Sequence, residues 1–167
     1  MKAKEVLEAI RLKYRDKAIV PEVVIGVDDV TMHDSRDAHL ADPENVAREP
    51  YIRRIDALMF DGAQRTAIEV KVSKADLKRE TYSKVAPWKR VTHRFVYAMP
   101  YDMIDLHAMY EYPSALYGAG IWWVHDDGRI EVARKAIINK YPEPLPQHVI
   151  TALAYRATPK SFIKKER

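Results

Sequence analysis

The chain is expected to fold as an α/β protein, with a mixed central sheet flanked by helices. Three observations lead there. An amphipathic opening segment precedes a short β-branched one, two alternating runs meet across an Asp-Gly turn, and later strand-like runs are separated by helix-like ones.

Taken in order, Ala3, Val6, Leu7, Ile10 and Tyr14 recur at helical spacing with Lys and Glu between them, which predicts an amphipathic helix over 3–16. Ile19 to Ile25 is β-branched and reads as a first strand, with Pro21 placing it at a sheet edge or at the strand's beginning. From Gly26 to Pro50 no period holds, and Asp, Asn, Pro and His accumulate, so this stretch is expected to be a long acidic loop. Tyr51 to Phe60 and Arg65 to Val72, joined by Asp61-Gly62-Ala63-Gln64, form the clearest hairpin in the chain. Ser73 is placed to cap a helix running from Lys74 toward Tyr82, and Pro87 to sit in the first turn of a second helix carrying Trp88. Arg94 to Met99 is a strand closed by Pro100, and Asp102 to Tyr110 a helical stretch halted by Pro113 and Gly118. Ala119 to His125 and Ile130 to Arg134 make a second hairpin across Asp126-Asp127-Gly128. Pro142, Pro144 and Pro146 extend the chain into a last helix from Gln147 to about Arg156. One domain is therefore expected over residues 1–158, with a basic tail over 159–167.

Apolar residues make up 47% of the chain and charged ones 31%, an ordinary globular balance that argues against disorder. No run of about 18 apolar residues is present, and the start, Met1-Lys-Ala-Lys-Glu-Val-Leu-Glu, lacks the apolar stretch of a signal peptide. The expectation is no membrane span and a cytoplasmic location. Absence of cysteine excludes disulfides and thiolate metal sites. The net charge of +4 hides an uneven distribution. Residues 22–50 set eight acids against Arg36 and Arg48, a balance of −6, whereas residues 71–94 set eight bases against Asp76 and Glu80, a balance of +6. A basic segment of that density suits a phosphate backbone, although a solvated helix face explains it as simply.

Strand parity then concentrates chemistry on the first hairpin. Arg54, Asp56, Leu58 and Phe60 are expected on one side of their strand, and Arg65, Ala67, Glu69 and Lys71 on the same side of the next, leaving the opposite face apolar. If the loop comprises residues 61–64, Asp56 lies directly opposite Glu69; if Asp61-Gly62 alone turn, the two are diagonal neighbours. A three-residue loop would place them on opposite faces. Adjacent carboxylates repel unless a cation neutralises them, and magnesium accepts such oxygens while retaining waters. A neighbouring lysine stabilises charge developing on a phosphoryl oxygen or orients the attacking water, so Asp56, Glu69 and Lys71 point to phosphodiester hydrolysis. The bland alternative is an exposed cross-strand salt-bridge cluster.

Beyond this spacing, Arg53-Arg-Ile-Asp-Ala-Leu, Ile68-Glu-Val-Lys-Val-Ser-Lys-Ala-Asp-Leu77, Lys84, Trp88 and Arg94-Phe-Val-Tyr-Ala-Met-Pro100 resemble the MmcB-like DNA-repair branch of the PD-(D/E)XK nuclease superfamily. The resemblance covers residues 53 to about 134. It implies the restriction-endonuclease-like αβββαβ core, Asp56 and Glu69 as metal ligands with the Val70 carbonyl as a third, and Lys71 as the catalytic lysine. The implied cofactor is Mg2+, with Mn2+ as its substitute, and the implied function is cleavage of DNA in repair or processing. An accessory acid on the first helix would fall to Glu5 or Glu8. A non-cleaving DNA-binding module on the same fold is the alternative function, and hydrolysis of small phosphate compounds a third. Two cleavage sites on a duplex would make a homodimer useful.

Lys74, Lys78, Arg79 and Lys84 follow the catalytic strand and are candidate phosphate contacts. Tyr82 and Trp88 have rings suited to stacking on bases, but packing is preferred for Trp88. Trp122 and Trp123, adjacent on a strand, must point opposite ways. His33, Asp34, Asp37 and His39 have ligand chemistry in a spacing that matches no metal motif. The acidity of loop 26–50 would keep nonspecific DNA from the cleft, an idea refuted if deleting residues 30–46 leaves salt-dependent DNA affinity unchanged.

Overall fold

The computed structural model describes residues 1–27 and 51–158. The expected acidic loop beyond Val27, the His33–His39 cluster and the tail from 159 lie outside the described residues. Six strands form one sheet in sequence order, β1 (Ala18–Val27), β2 (Tyr51–Asp61), β3 (Gln64–Val70), β4 (Arg94–Pro100), β5 (Gly120–Val124) and β6 (Ile130–Arg134). β1, β2 and β3 pair antiparallel in turn, β3, β4 and β5 run parallel, and β6 returns antiparallel to β5. The expected α/β class with a mixed sheet is what the chain adopts. Among the described residues no helix is long and apolar enough to cross a membrane.

Helix α1 (Ala3–Lys13) buries Val6, Ala9 and Ile10, and Glu5 Oε2 accepts the Lys2 amide at 2.7 Å to close its first turn. It packs over Ala57, Ile68, Val70, Val96, Ala98 and Trp122. The opposite face of the sheet carries Leu58, Ala67, Phe95, Tyr97 and Met99 against α3 (Tyr82–Val91) and α4 (Gln147–Ala157), through Val85, Trp88 and Val149. Both sheet faces are therefore core, which corrects the expectation of one apolar and one charged face. The crossovers from β3 to β4 and from β4 to β5 cover one face, through Leu77, Val85, Trp88, Ala115 and Leu116, while the helix that precedes β1 covers the other. Leu58 and Ala67, assigned by parity to the charged face, are fully buried.

β1 is an edge strand, where Pro21, lacking an amide, is tolerated. Arg156 of α4 donates to the Pro21 carbonyl and, at 2.9 Å, to that of Glu22. Glu22 has φ +49°, uncommon for a residue with a Cβ, and the β1–β2 register continues unshifted past it from Pro21↔Ala57 to Val23↔Ile55. Beyond that point alternation on β2 fails. Ile55 packs in the α3-side cluster, whereas Ala57 and Met59 pack beneath α1.

The first hairpin turns at Gly62-Ala63 with Asp61 opposite Gln64 and Phe60 opposite Arg65. Gly62 supplies φ +56° at the first central position, as a primed two-residue turn requires. The strand after it stops at Val70 rather than Val72. The helix expected from Lys74 to Tyr82 is short, α2 (Lys74–Lys78), with Ser73 Oγ accepting the Asp76 amide at 3.1 Å. α3 begins at Tyr82, so Pro87 lies inside it and not in its first turn. The proline removes the donor for the Ser83 carbonyl, and Ser83 is exposed in the opening turn. In place of an α-helix over 102–110 there are 3-10 turns at Leu106–Glu111 and Ser114–Leu116, where Asp105 Oδ1 accepts the His107 amide at 2.8 Å. Trp88 is core, and Trp122 and Trp123 do face opposite ways. Trp122 stacks on Tyr14 under α1, whereas Trp123 meets Tyr101 edge-on.

Candidate functional site

The turn residue count is even, so the parity condition for the site holds. Phe60↔Arg65 and Ala57↔Ile68 extrapolate to Asp56 opposite Glu69. The backbone ladder ends one pair earlier, and the Asp56 side chain takes over: its Oδ2 accepts the Val70 amide at 2.7 Å. Asp56 is thus fixed by a charge-assisted bond at the point where β2 and β3 part.

Lys71 follows immediately. Its amide donates to the Ala98 carbonyl at 3.0 Å, extending the β3–β4 pairing. Its ammonium lies 2.8 Å from Glu69 Oε1, 2.9 Å from Glu80 Oε2 and 3.7 Å from Asp76 Oδ2. Glu80 occupies the junction of α2 and α3 with its side chain 3% exposed, and its other oxygen faces the Lys84 ammonium at 3.6 Å. This cluster is buried, unlike the exposed salt-bridge network of the bland reading, so its pairings operate with little solvent screening.

The electrostatics are uneven across it. Burial pushes Asp56 above the usual carboxylate range, partly offset by the Val70 amide and the Lys71 charge. Glu69 is pushed up to about 7, by burial first and by the Asp56 charge second, against the pull of Lys71. Burial works against the Lys71 ammonium, yet the charges and hydrogen bonds of Glu69 and Glu80 hold its pKa above the ordinary lysine value. Lys71 therefore stays charged while Glu69 stands near its titration, because the one ammonium is shared with Glu80 and Glu69 also confronts Asp56.

Placement of the remaining expected residues is mixed. Arg54, expected on the charged face, is exposed and 3.7 Å from Glu22. Lys74, Lys78, Arg79 and Lys84 are all exposed around α2 and the start of α3. Arg79 pairs with Asp76 at 3.4 Å, and Lys84 also donates to the Arg79 carbonyl at 3.2 Å. Glu5 and Glu8 are exposed on α1, which packs on the sheet face opposite Ala67 and Tyr97; Glu5 serves its own helix start. Among the described residues no group of three or more His, Asp and Glu side chains converges to hold a metal ion.

Three residues of the site carried no role in the sequence reading. Glu80 counted there only as an offset to the basic segment. Glu22, close enough that its charge raises Asp56, belongs to a strand positioned by pairs from Ala18↔Phe60 to Val27↔Tyr51, well beyond local reach. Tyr97 is the register partner of Glu69 on β4. The signal for Tyr97 was present in principle, since parallel neighbours in register share a face.

No family model matches the chain. No curated protein matches it either. Among solved structures it is similar to a protein of unknown function from Silicibacter pomeroyi, with 18% identity over 93% of this chain and 86% of that one and a TM-score of 0.49.

Proposed function

We propose that the chain is a divalent-metal-dependent DNA nuclease of the PD-(D/E)XK type, with Asp56, Glu69 and Lys71 as its catalytic residues. The observation that carries this reading is the pair of half-buried carboxylates, both raised in pKa, at the parting of β2 and β3. Two acids in that condition are relieved by a cation, and one or two carboxylates with retained waters are what magnesium or manganese accepts. The fit is supported further by backbone direction. In extended chain a residue's N–H and C=O point to the same edge, so the Val70 carbonyl lies on the side of Asp56, as its amide does. The order of elements through β4, helix, three strands, helices, strand, is compatible with the αβββαβ core that the resemblance implies.

A bound ion would supply charge neutralisation at the scissile phosphate and an activated water. The protein's own share is positional. Asp56 is oriented by the Val70 amide, Glu69 by the Lys71 ammonium, and each has one oxygen without a partner among the described residues. Lys71, fully charged, can stabilise a phosphoryl oxygen once it turns from Glu69. Exposed Lys74, Lys78, Arg79 and Lys84 extend the positive charge along α2 and α3 for the flanking phosphates.

The test is incubation of labelled single-stranded, duplex and branched DNA with magnesium or manganese, beside EDTA and Asp56→Ala controls. Cleavage lost in both controls is expected; cleavage surviving both overturns the mechanism. A non-cleaving DNA-binding module is the second reading, favoured by the complete engagement of Lys71 with Glu69, Glu80 and Asp76. Binding without cleavage in either metal selects it.

A further inference from the structure

Tyr97 presents a buried hydroxyl for which no hydrogen-bond partner exists among the described residues. Such orphans are rare, because a buried polar group without a partner forfeits its hydration with no return. The ring is fixed by packing: Tyr97 is wholly buried and meets Phe95 edge-on at 5.2 Å. Its position is equally defined. Glu69↔Tyr97 is a register pair on parallel strands, so the tyrosine shares the sheet face of Glu69. The charges of both Glu69 and Glu80 act on the phenol, raising its pKa after burial itself, which keeps it a neutral donor. The phenol therefore shares a sheet face with Glu69 and feels the charges of Glu69 and Glu80, yet is hydrogen-bonded to neither carboxylate. Both are turned to Lys71 instead, at 2.8 and 2.9 Å.

We propose that Tyr97 is a positioning residue of the Asp56–Glu69 site: its hydroxyl is the reserve donor for the Glu69 and Glu80 carboxylates, engaged when the Lys71 ammonium turns to a phosphate of bound DNA. The second half of this inference rests on the nuclease reading; the first does not. If Lys71 is to serve a phosphoryl oxygen it must loosen its hold on Glu69 or Glu80, and a buried carboxylate abandoned by its counter-ion is costly. A neutral hydroxyl on the sheet face of Glu69 lowers that cost without competing for the phosphate. The orphan state of Tyr97 and the crowding of Lys71 then have one explanation, as two halves of a single exchange of partners.

A double-mutant cycle on the full chain tests the exchange without DNA. Tyr97→Phe removes only the unsatisfied oxygen, so its melting temperature should stay within about 2 °C of the parent or rise. Lys71→Met vacates the ammonium's place, and the reserve donor should then soften the loss. The double variant is expected to melt about 3 °C or more below the sum of the single effects. Additive effects overturn the proposal, and Lys71→Gln replaces Lys71→Met if the latter does not fold. Fluorescence anisotropy with labelled single-stranded and duplex oligonucleotides, with calcium in place of magnesium, tests the link to DNA. Tyr97→Phe should bind about tenfold more weakly at parental stability, a loss on the scale of one hydrogen bond. Equal binding by parent and variant overturns release of Lys71 by DNA. A coupled cycle with no binding by the parent overturns the nuclease reading and leaves the reserve-donor role standing.

Discussion

Glu69 shows how much of this site is set by surroundings that no single residue reveals. Its carboxyl titrates near 7 in the folded chain because burial and Asp56 outweigh Lys71, against about 4.5 when unfolded. A raised folded pKa means the folded state binds the proton more tightly, so this contribution to stability is present below pH 4.5 and is lost as pH rises through 7. In EDTA the melting temperature should therefore fall between pH 5 and 7.5, and Glu69→Gln should flatten the decline. An unchanged profile in Glu69→Gln would falsify the assignment. Manganese must displace the same proton, so calorimetric affinity should rise steeply with pH over the same interval. Asp56 allows a cleaner separation of fold from function. Asp56→Asn keeps an oxygen to accept the Val70 amide and removes the charge, so it should retain the parent's melting temperature within a few degrees while losing manganese binding.

At the scale of elements, the hairpin was readable because its determinants are local. Gly62 provides the positive φ, and apolar alternation pins the register. Gly62→Val forces a β-branched residue into that conformation and should cost about 1–3 kcal/mol by urea denaturation, with the site geometry retained. Losing nothing would mean that the turn does not need its glycine. The helices after β3 were less legible. Ser73 announced α2, but α2 ends at Lys78, and Glu80, between the two helices, turns its carboxylate to the buried Lys71 ammonium. Local propensity does not encode that contact. Pro87 misled for a related reason, since packing of Val85, Trp88 and Val91 carries α3 through a residue that by itself marks a first turn. Trp88→Ala, which empties the interface of α3 with the sheet, should cost about 3–5 kcal/mol.

Over the whole molecule, the basic segment 71–94 divides its charges between inside and outside. Lys71 is spent on the buried acids, and Lys89 on the Ala115 and Tyr117 carbonyls at 2.8 and 2.7 Å. Arg90 pairs with Glu143, and Arg94 with Gln64. Lys74, Lys78, Arg79 and Lys84 remain at the surface near the site. If these meet phosphates, Lys74→Ala with Lys78→Ala should lower the slope of log affinity against log salt by about 1.8 on duplex DNA, weakening binding alike across sequences. An unchanged slope would assign them to a merely solvated face. By itself the sequence determined the α/β class and the hairpin register that sets Asp56 opposite Glu69, because turn chemistry and periodicity act over a few residues. Only the tertiary structure decided that both faces of the sheet are buried, that Lys71 is held by Glu80, and that the Tyr97 hydroxyl, on the face of Glu69, has no hydrogen-bond partner among the described residues. Those facts follow from pairing β3 with β4, folding α2 and α3 over one face and laying α1 on the other, and contacts between distant segments leave no periodic trace along the chain.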